Sequence, residues 1–211
     1  EDMDVAALAA GVPWNFSTFP EYLDAVGDLP LALNFGAYVG HTALRLFVMG
    51  DDAYERAATA DEIDAMVAVL ADAMDRGAAG FATSVAPTHR GVDGKPVPSR
   101  FADRAELEAL FNAVGATGRG VVEVTPGEII PVADIYDLQL AAGVPFTVTA
   151  LLATPTGSHR QFAETNRAGW ARGAQVWPQV SPRPLTFAMS LAEPFTFNVN
   201  PAFGDLIGVS I

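Results

Sequence analysis

Runs of strand length alternate with amphipathic helix patterns along this chain, and this alternation constrains the fold more than any other feature. The pattern Thr59-x-x-Glu62 predicts a capping box at the start of a helix that Gly77 closes, and the apolar run 80–84 follows directly. At helical spacing, the apolar side chains between the cap and the glycine fall on one face. They are Ile63, Met66, Val67, Leu70 and Met74.

The same unit recurs three times. Each helix pattern begins at a capping residue or a proline, ends at a glycine, and precedes a run of strand length. The predicted helix starts are Asp103 with Glu106, Pro131, and Ser158 with Gln161, and the predicted strands are 120–125, 144–149 and 174–179. Such alternation is typical of βαβ units, so we expect a parallel sheet with right-handed crossovers.

Two further runs complete the predicted sheet. One is 33–39, after a short helix around 19–26, and the other is 185–191, which brings the predicted strands to about six. A closed (β/α) barrel needs eight strands and about 250 residues. We therefore predict an α/β fold, a single incomplete TIM-like barrel domain over 1–211 with outer helices. An open doubly wound sheet is the alternative, but the chain has neither G-x-G-x-x-G nor G-x-x-x-x-G-K-[ST], which excludes its nucleotide-binding form.

Charge and composition exclude several classes of partner. With 12 basic and 25 acidic residues, the net charge is −13, which disfavours nucleic acid and anionic membranes. No run of 18 apolar residues exists to span a membrane. The absence of cysteine permits a reducing compartment, and we expect a cytoplasmic protein with a small-molecule partner. Because the chain starts at Glu1 without an initiator Met or signal-peptide pattern, we expect it to be an excerpt of something longer.

The two faces of the predicted strands differ in polarity. Val122 and Val124 share one face, whereas Glu123 and Thr125 share the other. We expect the polar face to be interior, since the face packed on helices must be apolar, and active sites of barrels lie at the carboxyl ends of strands. A carboxylate amid valines is costly unless it is paired or used, so Glu123 is our candidate catalytic residue, with a buried structural ion as the alternative. Thr125 and Thr149 are expected to donate hydrogen bonds around it. Thr147, Thr149 and Gln179 lie on the corresponding polar faces of later strands, although threonine is also simply a good strand former.

Histidines and arginines near strand ends are candidate substrate contacts. His41 follows the strand 33–39 and stands four residues before Arg45, so this pair could hold a substrate carboxylate; a histidine bonded in a turn is the alternative. His89 and Arg90 lie in the long loop 85–100, where they either act as a lid over substrate or are surface residues. The three histidines are too far apart in sequence for an H-x-H motif, so we predict no metal site made by this chain's own histidines.

Several segments together resemble the D-aminoacylase branch of the amidohydrolase superfamily. They are WNFSTFPEYL at 14–23, VGHTALR at 39–45, VMG at 48–50, RAAT at 56–59 with Glu62 and Met66, GAAGFATS at 77–84, and QVSPRP at 179–184 followed by Pro194-Phe195. The resemblance implies the middle of a metal-dependent barrel that hydrolyses the amide of N-acyl-D-amino acids, or a related carbon–nitrogen bond, through a metal-bound hydroxide. The implied cofactor is a divalent metal, zinc.

The metal ligands of that family are missing from the expected places. Ligand histidines are expected after the strands ending near Thr125 and Thr149, and neither place holds one. Lys95 stands in a Gly/Pro-rich loop and cannot serve as a carboxylated bridging lysine. The resemblance then implies one metal, held largely by residues outside this sequence, or none.

Three functions stay open from the sequence. The first is a hydrolase with a single metal, in which Glu123 is an extra ligand or a water-orienting base. The second is a degenerate barrel that binds an acylated or carboxylated small molecule without turning it over. The third is a structural or assembly module whose strand ends merely need polar groups.

Overall fold

The computed structural model describes residues 5–91, 94–153, 157–184 and 186, and within them five parallel strands lie side by side in chain order. The strands are β1 (Tyr38–Gly40), β2 (Gly80–Ser84), β3 (Val121–Thr125), β4 (Phe146–Val148) and β5 (Val176–Pro178). The helices are α1 (Val5–Gly11), α2 (Phe19–Gly27), α3 (His41–Met49), α4 (Ala60–Asp75), α5 (Arg104–Ala116), α6 (Val132–Ala142) and α7 (Ser158–Ala171), and two 3₁₀ helices cover Gly50–Tyr54 and Pro98–Phe101. The predicted α/β fold with parallel strands is confirmed.

The helix starts follow the local chemistry of their caps. At α4 the capping box is present: the Thr59 hydroxyl accepts from the Glu62 amide at 3.3 Å, and the Glu62 carboxylate accepts from the Thr59 amide at 2.7 Å. Hydrogen bonds from Arg56 and Thr59 lower the pKa of Glu62 to about 2. At α5 the Asp103 carboxylate accepts from the Glu106 amide at 2.9 Å.

Two predicted starts differ in detail. Pro131 is the N-cap of α6 rather than a residue of its first turn. α7 begins at Ser158 as predicted, but its N-cap is Gly157, with φ at +77°, which makes no side-chain cap. A left-handed backbone at the cap suits glycine, so the turn before α7 sets the helix start instead of a serine hydroxyl.

The strand register places the two faces as predicted. Glu123 pairs with Ala82 on β2 and with Thr147 on β4, and these three residues share one face. On the opposite face, Val122, Val124, Phe146 and Val148 are fully buried among the helices. Gly80 allows β2 and β3 to meet this closely, because a Cβ there would lie 1.8 Å from the Val121 carbonyl oxygen.

The first strand begins later than the sequence predicts. The chain from 33 to 37 does not form a strand, and Leu33 is 83% exposed. Strand pairing starts only where β2 supplies a partner, with Tyr38 opposite Gly80, and α3 begins directly after Gly40. The apolar run 33–39 therefore predicts that a strand lies near these residues, but not where β1 begins and ends. The predicted strand 185–191 lies outside the described residues apart from residue 186.

No helix among the described residues has the length and apolar character that a membrane crossing requires.

Candidate functional site

A cluster of polar side chains lies at the carboxyl ends of three neighbouring strands. Ser84 is the last residue of β2, Glu123 lies near the end of β3, and Thr149 directly follows β4. His89 joins them from the loop after β2. All four side chains are partly exposed on the face opposite the helices, and we call them the strand-end cluster.

Glu123 is held by its neighbour on β4. The Thr149 hydroxyl donates to Oε1 of Glu123 at 2.5 Å. Burial raises the pKa of Glu123, while the hydrogen bond from Thr149 and the nearby charge of His89 act in the opposite direction. The net direction is upward, so this carboxyl takes up a proton more readily than an exposed glutamate does.

His89 is placed over β2 by the fold of its loop. Its Nδ1 lies 2.6 Å from the Ser84 hydroxyl oxygen. The loop is closed by a backbone bridge between Arg90 and Pro96, and Nη1 of Arg100 donates to the His89 carbonyl at 3.4 Å. These contacts bring the His89 side chain close enough to Glu123 for their charges to interact.

Thr125 and Gln179 make backbone hydrogen bonds at the carboxyl ends of their strands. The Thr125 carbonyl accepts from the Val85 amide at 3.0 Å, and the Gln179 carbonyl accepts from the Leu151 amide at 2.9 Å. Among the described residues, no hydrogen bond joins the Thr125 side chain to Glu123, so of the two predicted threonine donors the structure shows Thr149. Thr147 donates its hydroxyl to the Trp177 carbonyl.

The structure places His41 and Arg45 on the other side of the sheet, buried and away from the strand-end cluster. His41 is the first residue of α3 and is 1% exposed, and Arg45 is fully buried one helical turn later. Nδ1 of His41 lies 2.8 Å from the Thr83 hydroxyl, and Nε2 lies 2.7 Å from Oε1 of Glu106. Arg45 donates to the other oxygen of Glu106. The helix that follows β1 turns these side chains away from the strand-end cluster.

The sequence pattern places Glu106 only at a helix start and does not reveal it as the partner of His41 and Arg45. It is fully buried and bridges His41 and Arg45; we call these three residues the helix-side triad. Burial raises the pKa of Glu106, but its hydrogen bonds to His41 and Arg45 and the charge of Arg45 act against this, and the net direction is downward. Burial lowers the pKa of His41, which is therefore neutral near pH 7. A usable signal was present, because Glu106 shares a helical face with Leu110 and Val114.

An open groove lies beside the strand-end cluster. It has a volume of about 460 Å³ and includes Ala150, the residue after Thr149. A volume of this size is within the range of small-ligand sites. Its lining comes from the starts of α6 and α7 and the segment after β4. The apolar residues are Val132, Ala133, Ala150, Leu152 and Phe162, and the polar residues are Ser158, His159, Gln161 and Thr165.

Comparison with known proteins identifies similar chains. No family model matches. Over 76 residues the chain is 43% identical to a D-aminoacylase of Alcaligenes xylosoxydans xylosoxydans, and over 87 residues it is 41% identical to an N-acyl-D-aspartate deacylase of the same organism. These matches cover 36% and 38% of this chain but only 15% and 17% of those relatives.

Solved structures agree with the curated relatives. A D-aminoacylase structure described as defining a novel subset of amidohydrolases matches with a TM-score of 0.66 and 26% identity, over 80% of this chain and 34% of the other. A second D-aminoacylase, studied for the role of its binuclear metal centre, matches with a TM-score of 0.66 and 25% identity over the same shares. The predicted resemblance to the D-aminoacylase branch is confirmed. The chain spans about a third of the length of these structures.

The described part of this D-aminoacylase-like chain does not by itself fit a metal ion. Its residues contain no group of three or more histidine, cysteine, aspartate or glutamate side chains close enough to hold one. Within the strand-end cluster, Glu123 and His89 are the two side chains of ligand type. A structural metal site takes four ligands and a catalytic one three, so this cluster falls short of a complete set.

Proposed function

We propose that this chain is part of the catalytic barrel of a hydrolase that cleaves a carbon–nitrogen bond other than a peptide bond. The substrate class is the N-acyl-D-amino acids or a related N-acyl small molecule. The observation that carries the proposal is Glu123, a half-buried carboxyl with a raised pKa at the carboxyl end of a parallel sheet. The likeness to D-aminoacylases over 80% of the chain supports it.

Glu123 acts as the general acid and base. It accepts a proton from the water that attacks the acyl carbon, and it returns that proton to the nitrogen as the carbon–nitrogen bond breaks, giving a carboxylic acid and an amine. A carboxyl with a raised pKa is suited to both halves of this exchange. Thr149 holds Oε1, and no donor among the described residues pairs with Oε2, which is left for the water proton.

The remaining residues of the site orient the substrate. His89, held by Ser84, donates towards the oxyanion that forms on the acyl oxygen. Arg90, Thr125, Thr149 and Gln179 line the same edge of the sheet and contact the polar parts of the substrate. The groove beside Ala150 takes its apolar part. We keep the prediction of a cytoplasmic protein with no nucleic-acid or membrane partner.

A divalent metal, zinc by family resemblance, is the proposed cofactor. Because the described residues lack a complete ligand set, any resident metal takes most of its ligands from elsewhere in the protein. We derive no step through it.

A second function competes with hydrolysis: binding of an acylated or carboxylated small molecule without turnover. The groove beside Ala150 is the observation that favours this alternative, because a groove of this size can hold a small molecule without any metal.

The deciding experiment uses the full-length protein. Zinc, iron and manganese are measured by mass spectrometry, and hydrolysis of a panel of N-acetyl-D-amino acids is followed by amine release. We expect turnover that falls by about 100-fold or more in Glu123→Gln, the scale of a positioned acid or base. Glu164→Gln, an exposed glutamate on α7, is the matched control and is expected to keep wild-type turnover.

Equal turnover in Glu123→Gln and wild type would disprove the catalytic assignment. Binding of the same compounds without any turnover in wild type would instead establish the second function.

A further inference from the structure

Two arginines lie together next to the strand-end cluster. Arg90 directly follows His89, and Nη1 of Arg100 donates to the His89 carbonyl. Both side chains are half-buried rather than extended into solvent. The loop that carries the imidazole of His89 towards Glu123 therefore also carries two guanidinium groups to the same edge of the sheet.

The local backbone fixes both arginines. Arg90 pairs with Pro96 in a backbone bridge, and its Nη1 donates to the Gly94 carbonyl at 2.7 Å. Arg100 belongs to the 3₁₀ helix Pro98–Phe101, whose Ser99 donates to the Ser84 carbonyl at 2.7 Å. The 3₁₀ helix that carries Arg100 is thus tied to β2, and both guanidinium groups bond to backbone carbonyls of the loop that follows this strand.

Neither Arg90 nor Arg100 has an ion-pair partner among the residues that the structure describes. Burial and the charge of Arg90 both lower the pKa of Arg100, and the acidic group that acts against this is Glu128, which is exposed. Over residues 5–91, 94–153 and 157–184, no carboxylate lies within ion-pair distance of Arg90 or Arg100. Of the other nine arginines in that part of the chain, five have such a partner: Arg45, Arg56, Arg104, Arg119 and Arg172. The other four are exposed to solvent, unlike Arg90 and Arg100: Arg76, Arg160, Arg167 and Arg183.

This contrast points to an anion. Two like charges held side by side and half-buried raise the free energy of the folded state unless an anion lies between them. Among the described residues, no group accepts a hydrogen bond from the buried Nε of Arg90, so the pair also has a donor to spare.

We infer that Arg90 and Arg100 form a subsite for an oxyanion, and that the oxyanion is the carboxylate of the substrate whose amide lies at Glu123. This rests on the proposed function and deepens it, because it makes the negative charge of the substrate a requirement for binding. It also assigns to this pair the carboxylate contact that the buried His41 and Arg45 cannot make. A guanidinium fork matches the two oxygens of a carboxylate, so the contact favours arginine over lysine.

The test compares two ligands that differ only in charge. N-acetyl-D-leucine and its carboxamide, N-acetyl-D-leucinamide, are titrated into the full-length protein by calorimetry, for wild type, Arg100→Gln and Arg100→Lys. We expect the acid to bind wild type at least about tenfold more tightly than the carboxamide, and Arg100→Gln to lose this preference while binding the carboxamide within about twofold of wild type. Arg100→Lys is expected to restore part of it.

Two controls separate a binding role from a structural one. Arg167→Gln removes an exposed arginine on α7 and is expected to leave both affinities unchanged. The melting temperature of Arg100→Gln is expected to equal or exceed that of wild type, because the variant removes one of two like charges. A lower melting temperature with unchanged ligand preference would show that Arg100 is a structural residue and would overturn the inference.

The remaining outcomes are also decisive. Selective binding of the acid without hydrolysis would keep the subsite and remove the proposed reaction, whereas hydrolysis of the acid and the carboxamide at equal rates would keep the reaction and remove the subsite. Binding of neither compound to wild type would overturn the inference. If inorganic phosphate binds wild type but not Arg100→Gln, while the acid and the carboxamide bind equally, the pair holds a free anion and the assignment to substrate is wrong.

Discussion

Thr83 and Ser84 are neighbours on β2, and they belong to two polar groups of opposite character. Thr83 points to the helices and contacts the helix-side triad, whose side chains are at most 1% exposed. Ser84 points to the other face and contacts His89 in the strand-end cluster, whose members are partly exposed. Two consecutive residues of one strand thus contact two different groups: the buried helix-side triad, which we call the closed network, and the partly exposed strand-end cluster, which we call the open network.

The comparison teaches that a buried charge is not by itself a sign of function. In the helix-side triad both carboxylate oxygens of Glu106 are bound by cationic or imidazole partners, which leaves no room for a ligand. In the strand-end cluster one hydroxyl binds one oxygen of Glu123, and burial raises the pKa of that carboxyl. The incomplete network is the one able to exchange a proton.

The largest effect on stability is expected from removing the carboxylate of the closed network. Glu106→Ala leaves the buried charge of Arg45 without its carboxylate and should lower the free energy of unfolding by about 3–5 kcal/mol. Urea denaturation of the full-length protein measures it. The double variant Glu106→Leu, Arg45→Met removes both charges and should recover most of the loss. A loss below about 1 kcal/mol in Glu106→Ala would mean that the triad is no more than a surface-like ion pair.

Removing the carboxylate charge of the open network should leave stability unchanged or increase it. Glu123→Gln removes a partly desolvated charge, so the free energy of unfolding at neutral pH should stay within about 1 kcal/mol of wild type or increase. Because the pKa of Glu123 is raised by folding, wild type loses stability relative to the variant as pH rises through that pKa. Unfolding curves at pH 4 and pH 8 measure the difference. A variant that is much less stable at pH 8 would identify Glu123 as a structural ion.

Lowering the pH should reduce the stability that the closed network contributes. As pH falls through about 6.5, the unfolded chain protonates His41 whereas burial keeps the folded imidazole neutral, so stability decreases. Below about 4.5 the unfolded chain also protonates Glu106, whose folded pKa is lower, and stability decreases further. We expect His41→Gln to flatten the melting-temperature profile between pH 6.5 and 5. His159→Gln, on α7, is the control, and an equal slope in wild type and His41→Gln would contradict the assignment.

The smallest effects should come from the two neighbours on β2 themselves. Thr83→Val removes the hydroxyl that contacts His41 and should cost about 1 kcal/mol of stability while turnover stays within about twofold. Ser84→Ala should leave stability almost unchanged and reduce turnover by up to about tenfold, because His89 loses its hydrogen bond. Denaturation and kinetic measurements on both variants check this. The opposite pattern would mean that Thr83, and not Ser84, lies on the face that carries the reaction.

Much of the fold follows from local signals in the sequence. The capping box at Thr59 and the alternation of Val122, Glu123 and Val124 depend on neighbouring residues, and the structure agrees with both. The placement of Glu123 on the face away from the helices follows from the same alternation.

What the sequence missed depends on partners that are distant in the chain. The start of β1 is set by Gly80, and the direction of His41 is set by Glu106, 65 residues later. A histidine at a strand end has the same local pattern whether it faces the cavity or the helices. The position of Arg100 beside His89 was likewise missed, because it depends on how the loop folds back.

The order of the sheet has a consequence for how this segment is made. In the part of the chain that the structure describes, each strand from β2 to β5 pairs with the strand that precedes it, and none of these strands is inserted between two earlier ones. On the ribosome, a newly emerged β-strand with its preceding helix therefore meets an edge that has already been synthesised. The segment can grow one unit at a time from its amino end, and each addition closes a chain loop of only a few dozen residues, which keeps the entropic cost of every step small.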